Sequence, residues 1–147
     1  MHYSEDAEYR RRLASGFLNE ARLNYQYQLW RSCVDNAQLS IENSGKMIVA
    51  LVEPVEKTHN PAHQLQRLAG QKRLDDSFLP QLNEVVSILD RFGMEEHFMT
   101  DCGDETTNTD PWSLFDENDA KEALELADRC FALSEQIFLA YTGASAP

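Results

Sequence analysis

The sequence has no long apolar run. Its first residues, MHYSEDAEYRRRL, lack the apolar stretch of roughly 7–15 residues that a signal peptide requires. No segment elsewhere approaches the roughly 18 consecutive apolar residues of a membrane span. We therefore expect a cytoplasmic protein that makes no membrane contact.

Residues that form turns and cross-links are also scarce. The chain has Gly 6 and Pro 5 in 147 residues, too few for a many-turned all-β protein or a disordered one. Hydrophobic residues (42%) and charged residues (26%) are at ordinary globular levels, and this length suits one core. We therefore expect one helical domain over residues 1–147. The cysteines are odd in number, widely separated and without a Cys-x-x-Cys pair, which predicts reduced thiols: Cys33, Cys102 and Cys130.

Basic residues are few, with 13 Lys+Arg against 25 Asp+Glu and a formal net charge of −12. Nucleic-acid backbones are held chiefly by Lys and Arg, which displace counterions from the phosphates. Broad nucleic-acid binding, and DNA binding in particular, is therefore not expected. Between Glu95 and Asp119 there are nine carboxylates and no Lys or Arg, which predicts a solvated loop.

Metal ligands are incomplete. His59 and His63 lie four residues apart, a spacing that can seat a metal ion. Pro61 between them favours a turn, and no third ligand is evident in the sequence. We therefore predict neither a metal site nor a cofactor.

What the chain does have is a set of apolar stripes at helical spacing. Ser4 is the expected N-cap of a first helix that runs to about Trp30, and Ser32 that of a second helix, which Pro54 stops. The apolar stripes of these two helices are Leu13, Phe17, Ala21 and Tyr25 in the first and Val34, Ala37, Ile41, Ile48 and Val52 in the second. The two helices should pair as an antiparallel hairpin.

The second half of the chain predicts two more long helices. After a connector at 53–70 with one short helix at 63–69, a third helix is expected from Phe78 to Gly93. Asp116 should cap the last helix, which ends in a frayed tail at 143–147. The residues expected to fix the end of the acidic loop to the core are Trp112, Leu114 and Phe115. Four amphipathic helices can bury their stripes only against one another, so the fold class is an all-α helical bundle.

Three stretches of the sequence resemble the HEPN domain family. The first, VDNAQLSIENSGK at 34–46, carries an Ala-Gln, a Glu and a Lys at the spacing common in the second helix of these domains. The second, Thr58-His59-Asn60-Pro61, is similar to the Thr-His turn of the family. The third, at 115–126, looks like its closing helix. The resemblance as a whole covers about residues 13–138.

The resemblance implies a four- to five-helix up-and-down bundle, usually homodimeric and related to the substrate-binding helical domain of nucleotidyltransferases. Many family members are encoded beside a minimal nucleotidyltransferase and form a toxin–antitoxin pair with it. The leading hypothesis is therefore a module that binds a nucleotide or RNA, or pairs with a nucleotidyltransferase. Its candidate binding residues are Gln38, Glu42, Lys46 and His59. Glu42 and Lys46 are also explained by an ordinary ion pair one helical turn apart, or by a polar seam between helices.

The first alternative hypothesis is a metal-independent ribonuclease. Catalytic members of the family use an Arg and a His separated by four to six residues, and Arg91 and His97 meet that spacing. The imidazole would move the 2′-hydroxyl proton while the guanidinium stabilises charge on the phosphorus oxygens. On a continuous helix the two residues would point about 120° apart, so they need a break at Gly93 to converge.

The remaining alternative is an acidic protein that only self-associates. Tyr25, Tyr27 and Trp30 cluster at the end of the first predicted helix, where they could stack a base. Such clusters more often belong to a core or a dimer interface, which favours a homodimer. The basic run at 10–12 predicts a solvated face, with phosphate binding as its minor alternative.

Overall fold

The computed structural model describes residues 2–92 and 100–143. Within those ranges the protein consists of helices and their connections, which confirms the all-α prediction. The helices are α1 (His2–Gln26), α2 (Trp30–Val49), α3 (Ala62–Gly70), α4 (Leu79–Arg91), α5 (Pro111–Leu114) and α6 (Glu117–Thr142), with a 3-10 turn at Asp76–Phe78. In the part of the chain so described, no helix is long and apolar enough to cross a bilayer.

The long helices alternate in direction. The contacts that fix their directions are Arg10–Asn43 and Ala14–Ser40 between α1 and α2, Arg11–Glu135 and Arg22–Asp128 between α1 and α6, and Glu84–Arg129 and Arg91–Glu122 between α4 and α6. In each pair the residue number rises on one helix as it falls on the other, so α1 runs antiparallel to both α2 and α6, and α4 runs antiparallel to α6. This is the up-and-down arrangement.

Helix α2 lies at the centre of the bundle. Every residue from Ser40 to Ala50 is buried, because α1, α3, α4 and α6 all pack against this helix. The largest fully buried apolar side chains belong to α2 itself and to α3, α4 and α6, which surround it: Ile41, Met47, Ile48, Leu65, Leu68, Leu82, Leu89 and Ile137. A helix buried all round must satisfy its polar side chains within the protein, which makes the polar residues of α2 informative.

The predicted boundary between the first two helices was wrong. Gln28 adopts a φ of 60°, and this left-handed residue ends α1 before Trp30 is reached. Leu29 rather than Ser32 is the N-cap of α2, so Ser32 lies in the first turn of that helix. The sequence gives no warning here, since the turn contains neither glycine nor proline.

Three other helix ends can be compared with their predicted caps. Ser4 lies inside α1, which already begins at His2, and α2 ends at Val49 in a turn rather than continuing to Pro54. Asp116 is confirmed as the cap of the last helix, because its carboxylate accepts a hydrogen bond from the backbone N–H of Asp119 at 2.9 Å. The predicted tail beyond residue 143 and the predicted stop at residue 93 lie outside the described residues.

The acidic connection before α6 has more structure than expected of a solvated loop. It contains the short helix α5 and an isolated antiparallel bridge between Asp104 and Thr109. Leu114 and Phe115 pack against the core as predicted. Trp112 does not pack against the core as predicted, because 73% of its surface is exposed.

Candidate functional site

Glu42 and Lys46 form a buried ion pair in the middle of α2. The Lys46 ammonium donates to Glu42 Oε1 at 2.6 Å, and the two side chains are only 10% and 11% exposed. Removing two charges from water is costly, and their mutual attraction offsets that cost only when the geometry is close. This pair is therefore a polar seam inside the bundle rather than an ordinary pair on a solvated helix face.

A turn from the α2–α3 connection brings His59 to the same carboxylate. His59 Nδ1 lies 3.4 Å from Glu42 Oε2. The turn is fixed by two side chains: Thr58 Oγ1 accepts from the Asn60 N–H at 3.0 Å, and Asn60 Oδ1 accepts from the Ala62 N–H at 3.0 Å. The imidazole is consequently presented at the mouth of the seam by a defined loop conformation.

Gly45 permits the close approach of this turn to α2. A Cβ atom built at Gly45 would lie 2.7 Å from Pro61 Cγ and 2.9 Å from Leu89 Cδ1, closer than real Cβ contacts. Only a residue without a side chain allows the proline ring to sit directly on the helix. Gly45 therefore sets the position of the His59 turn relative to Glu42.

These residues border a cleft of about 530 Å³ between α1, α2 and the 55–59 segment. Its lining residues are Arg10, Lys46, Val55, Glu56, Lys57, Thr58 and His59. Arg10 approaches from α1 and donates to Asn43 Oδ1 at 3.3 Å. Glu56 is engaged by Arg67, whose Nη1 donates to its Oε1 at 2.8 Å. Two lysines, one arginine and one imidazole thus meet at one cleft of an acidic protein, and the Glu42 carboxylate contacts two of these four side chains.

The predicted binding residues are only partly brought together. Glu42, Lys46 and His59 meet, whereas Gln38 is buried one helical turn before Glu42 and does not line the cleft. Two lining cations, Arg10 and Lys57, were not among the predicted site residues. Lys57 directly precedes the Thr58-His59 turn in sequence, which is a signal that could have found it.

The basic run at 10–12 is divided between two surfaces. Arg10 faces the cleft, Arg11 binds Glu135 on α6 at 3.0 Å, and the side chain of Arg12 is largely exposed. Helical geometry turns successive side chains by about 100°, and Arg11 and Arg12 border a separate pocket of about 360 Å³ that Arg10 does not reach. The predicted solvated face therefore holds for Arg12 alone.

Arg91, the described member of the predicted catalytic pair, does not line this cleft. Arg91 lies at the end of α4, where it pairs with Glu122 of α6 beside a smaller pocket of about 190 Å³ that Asp119 also lines. His97 lies outside the described residues, so its convergence with Arg91 stays a prediction.

The three cysteines and the two candidate metal-binding histidines all lie within the described residues. Burial raises the pKa of the Cys33 thiol to about 11 and that of Cys130 to about 12, so both remain protonated at neutral pH. No group of three or more His, Cys, Asp or Glu side chains that could hold a metal ion occurs among residues 2–92 and 100–143. His63 is exposed on α3.

Comparison with known proteins gives one match. The model of the family described as HEPN domain matches residues 7–137, which is most of the chain. No curated protein and no solved structure matches it. The matched region includes most of α1 with Arg10, the whole of α2, the His59 turn and most of α6.

Proposed function

The chain belongs to the HEPN domain family, and we propose that it is a binding module that holds the phosphate groups of a nucleotide in the cleft between α1, α2 and the His59 turn. The observation that carries this proposal is the concentration of Arg10, Lys46, Lys57 and His59 around one cleft of a protein whose net charge is −12. Elsewhere on such a surface a polyanion is repelled. At this cleft Arg10 and Lys57 offer cationic donors to a phosphate group, while Lys46 is paired with Glu42 and Glu56 with Arg67.

The cleft suits a nucleotide in size and chemistry. Its volume of about 530 Å³ lies within the range of roughly 300–1,000 Å³ typical of small-molecule sites. Arg10 can present a planar fork of N–H donors to phosphate oxygens, while Lys57 supplies a mobile point charge. Lys46 is already held in place by Glu42, so little side-chain entropy remains to be lost on binding.

The test is calorimetric titration of the protein with ATP, with inorganic phosphate and with adenosine. We expect ATP to bind, phosphate to compete with it, and adenosine to bind far more weakly. Lys57→Ala should weaken ATP binding about tenfold, since a hydrogen bond to a charged group contributes about 1.5–3 kcal/mol. Lys121→Ala removes an exposed cation on α6 outside the cleft and should leave binding unchanged. Equal losses in both variants would show general charge attraction and contradict the proposed site.

We also propose that the module works as a homodimer and pairs with a nucleotidyltransferase, as in a toxin–antitoxin system. Membership of the family supports both statements. Light scattering at micromolar concentration should give twice 16.8 kDa. A clean monomer at that concentration would contradict the dimer, and it would leave nucleotide binding in the cleft to be judged by its own titration.

A further inference from the structure

Three large apolar residues are exposed together at the end of the bundle where α1 turns into α2. Tyr27, Leu29 and Trp112 are 73%, 52% and 73% exposed, and Leu29 and Trp112 line one shallow groove of about 160 Å³. We call these three residues the Trp112 patch. They come from sequence positions more than 80 residues apart, so the fold itself assembles the patch. Clustered exposure of large apolar side chains is typical of interaction surfaces.

The patch is rigidly supported on the α5 side. The Asp110 carboxylate accepts from the Ser113 N–H at 2.8 Å and from the Ser113 hydroxyl at 3.1 Å, which caps the short helix that carries Trp112. Pro111, the first residue of this helix, is buried, and Phe115, which directly follows the helix, packs in the core. The indole therefore stands on a fixed base while its own surface stays in water.

The other half of the patch is equally constrained. Tyr27 and Leu29 flank Gln28, whose left-handed φ of 60° turns the chain sharply. The Leu29 N–H donates to the Asn24 carbonyl at 2.8 Å and closes the turn. An aromatic anchor that is already ordered loses little entropy on binding, and such anchors carry most of the energy at protein interfaces.

The surroundings of the patch are acidic. Residues 100–119 include no Lys or Arg and seven carboxylates: Asp101, Asp104, Glu105, Asp110, Asp116, Glu117 and Asp119. Asp110 lies two residues before Trp112, and Glu117 accepts from the Tyr25 hydroxyl at 3.4 Å beside the Trp30 ring. The cation in the groove, Arg31, is directed to the Thr100 carbonyl at 3.0 Å and to Ser32 at 3.1 Å. Asp110 and Glu117 therefore place negative charge beside the apolar centre, and these two carboxylates are the acidic rim of the patch.

We infer that the Trp112 patch docks a cationic amphipathic segment of another protein, whose apolar face covers Trp112 and Leu29 while its Lys and Arg residues meet the acidic rim. A second copy of this chain is the less favoured occupant, because self-association here would bring two acidic rims within a Debye length of about 8 Å. Anionic membrane surfaces are disfavoured for the same reason. The inference is independent of the proposed nucleotide site, since it uses none of the residues that line the cleft between α1, α2 and the 55–59 segment.

The experiment uses two fluorescein-labelled helical peptides of 18 residues, one of Leu and Lys and one of Leu and Glu with the same pattern. Fluorescence anisotropy with the full chain should show binding of the Leu/Lys peptide alone, weakening as salt is added. Trp112→Ala should reduce its affinity at least tenfold, and Tyr27→Ala, in an independently exposed residue, should also reduce it. Tyr9→Ala removes another exposed aromatic residue outside the patch and serves as the matched control.

The acidic rim is tested by neutralising a carboxylate beside the patch. Glu117→Gln should weaken binding of the Leu/Lys peptide, while Glu5→Gln, which removes one charge from α1, should not. Equal binding by wild type and Trp112→Ala, or comparable binding of the Leu/Glu peptide, would overturn the inference. A wild-type dimer that Trp112→Ala converts to monomer would also overturn it, because the patch would then be a self-interface.

Discussion

Gly45→Ala is the sharpest test of how the cleft is built, because two opposing effects can be compared. Alanine is the better helix former, and this favours the variant by about 0.5–1 kcal/mol. Against it, the new Cβ would lie 2.7 Å from Pro61 Cγ and 2.9 Å from Leu89 Cδ1. The proline ring is stiff and Leu89 is in the core, so overpacking of about 2–3 kcal/mol is expected. The net result is a loss of about 1–2 kcal/mol.

Urea denaturation followed by circular dichroism measures this loss. Gly16→Ala is the matched control, since Gly16 is exposed in α1 and a Cβ there meets nothing within 4 Å. That variant should be stabilised by about 0.5–1 kcal/mol. Gly45→Ala should also shift the NMR resonances of the His59 ring, because Pro61 must move away from α2. A Gly45→Ala protein as stable as Gly16→Ala would refute the close-packing argument.

Three further results are expected. Glu42→Gln should destabilise the fold by about 3 kcal/mol in urea titration, because it leaves the buried Lys46 ammonium without its partner. Adding Lys46→Met to this variant should recover part of the lost stability. Strictly additive losses in the two single variants and the double variant would contradict the pairing. Hydrogen bonding from the Asp119 N–H lowers the pKa of Asp116 below its ordinary value of 3.8, so its stabilising effect is present above that pH and is lost as the pH falls through the lowered pKa. Melting curves of Asp116→Ala and wild type should therefore converge in strong acid, and a difference that persists there would be evidence against the cap. Thiol titration of the native protein should detect Cys102 alone, and all three cysteines after unfolding. A second thiol that reacts rapidly in the native protein would show that Cys33 or Cys130 is accessible to the reagent.

The sequence predicted the elements of the fold better than their ends. Four amphipathic stripes suffice to specify a bundle, since each can be buried only against the others. The end of α1 was missed because Gln28 adopts a left-handed conformation that local chemistry does not demand of it. Trp112 was expected in the core because large aromatic residues are usually buried, and only the fold shows that it is left outside.

The candidate site was predicted in part for a related reason. Glu42 and Lys46 are one turn apart, so their proximity could be predicted from helical geometry, but their burial depends on helices distant in sequence. His59 was found through its resemblance to a family turn. Arg10 was considered only as part of the 10–12 run, with phosphate binding as the minor alternative, because the side chain that reaches the cleft depends on how α1 is rotated against α2.

The last prediction concerns ribonuclease activity. The carboxylates of α6 beside Arg91 indicate that such activity is absent. Arg91 already pairs with Glu122, and Asp119 lines the same pocket, so an RNA phosphate would have to displace one carboxylate and approach another. Exposed like charges act over about 8 Å at physiological salt, a distance that spans this pocket. We therefore expect no metal-independent cleavage of single-stranded RNA by the wild-type protein, even at low salt. His97→Ala should behave identically, and Glu122→Gln, which frees the guanidinium, should bind RNA more tightly. Cleavage by the wild type that disappears in His97→Ala would show that the Arg91 pair opens for substrate and would make this protein a ribonuclease.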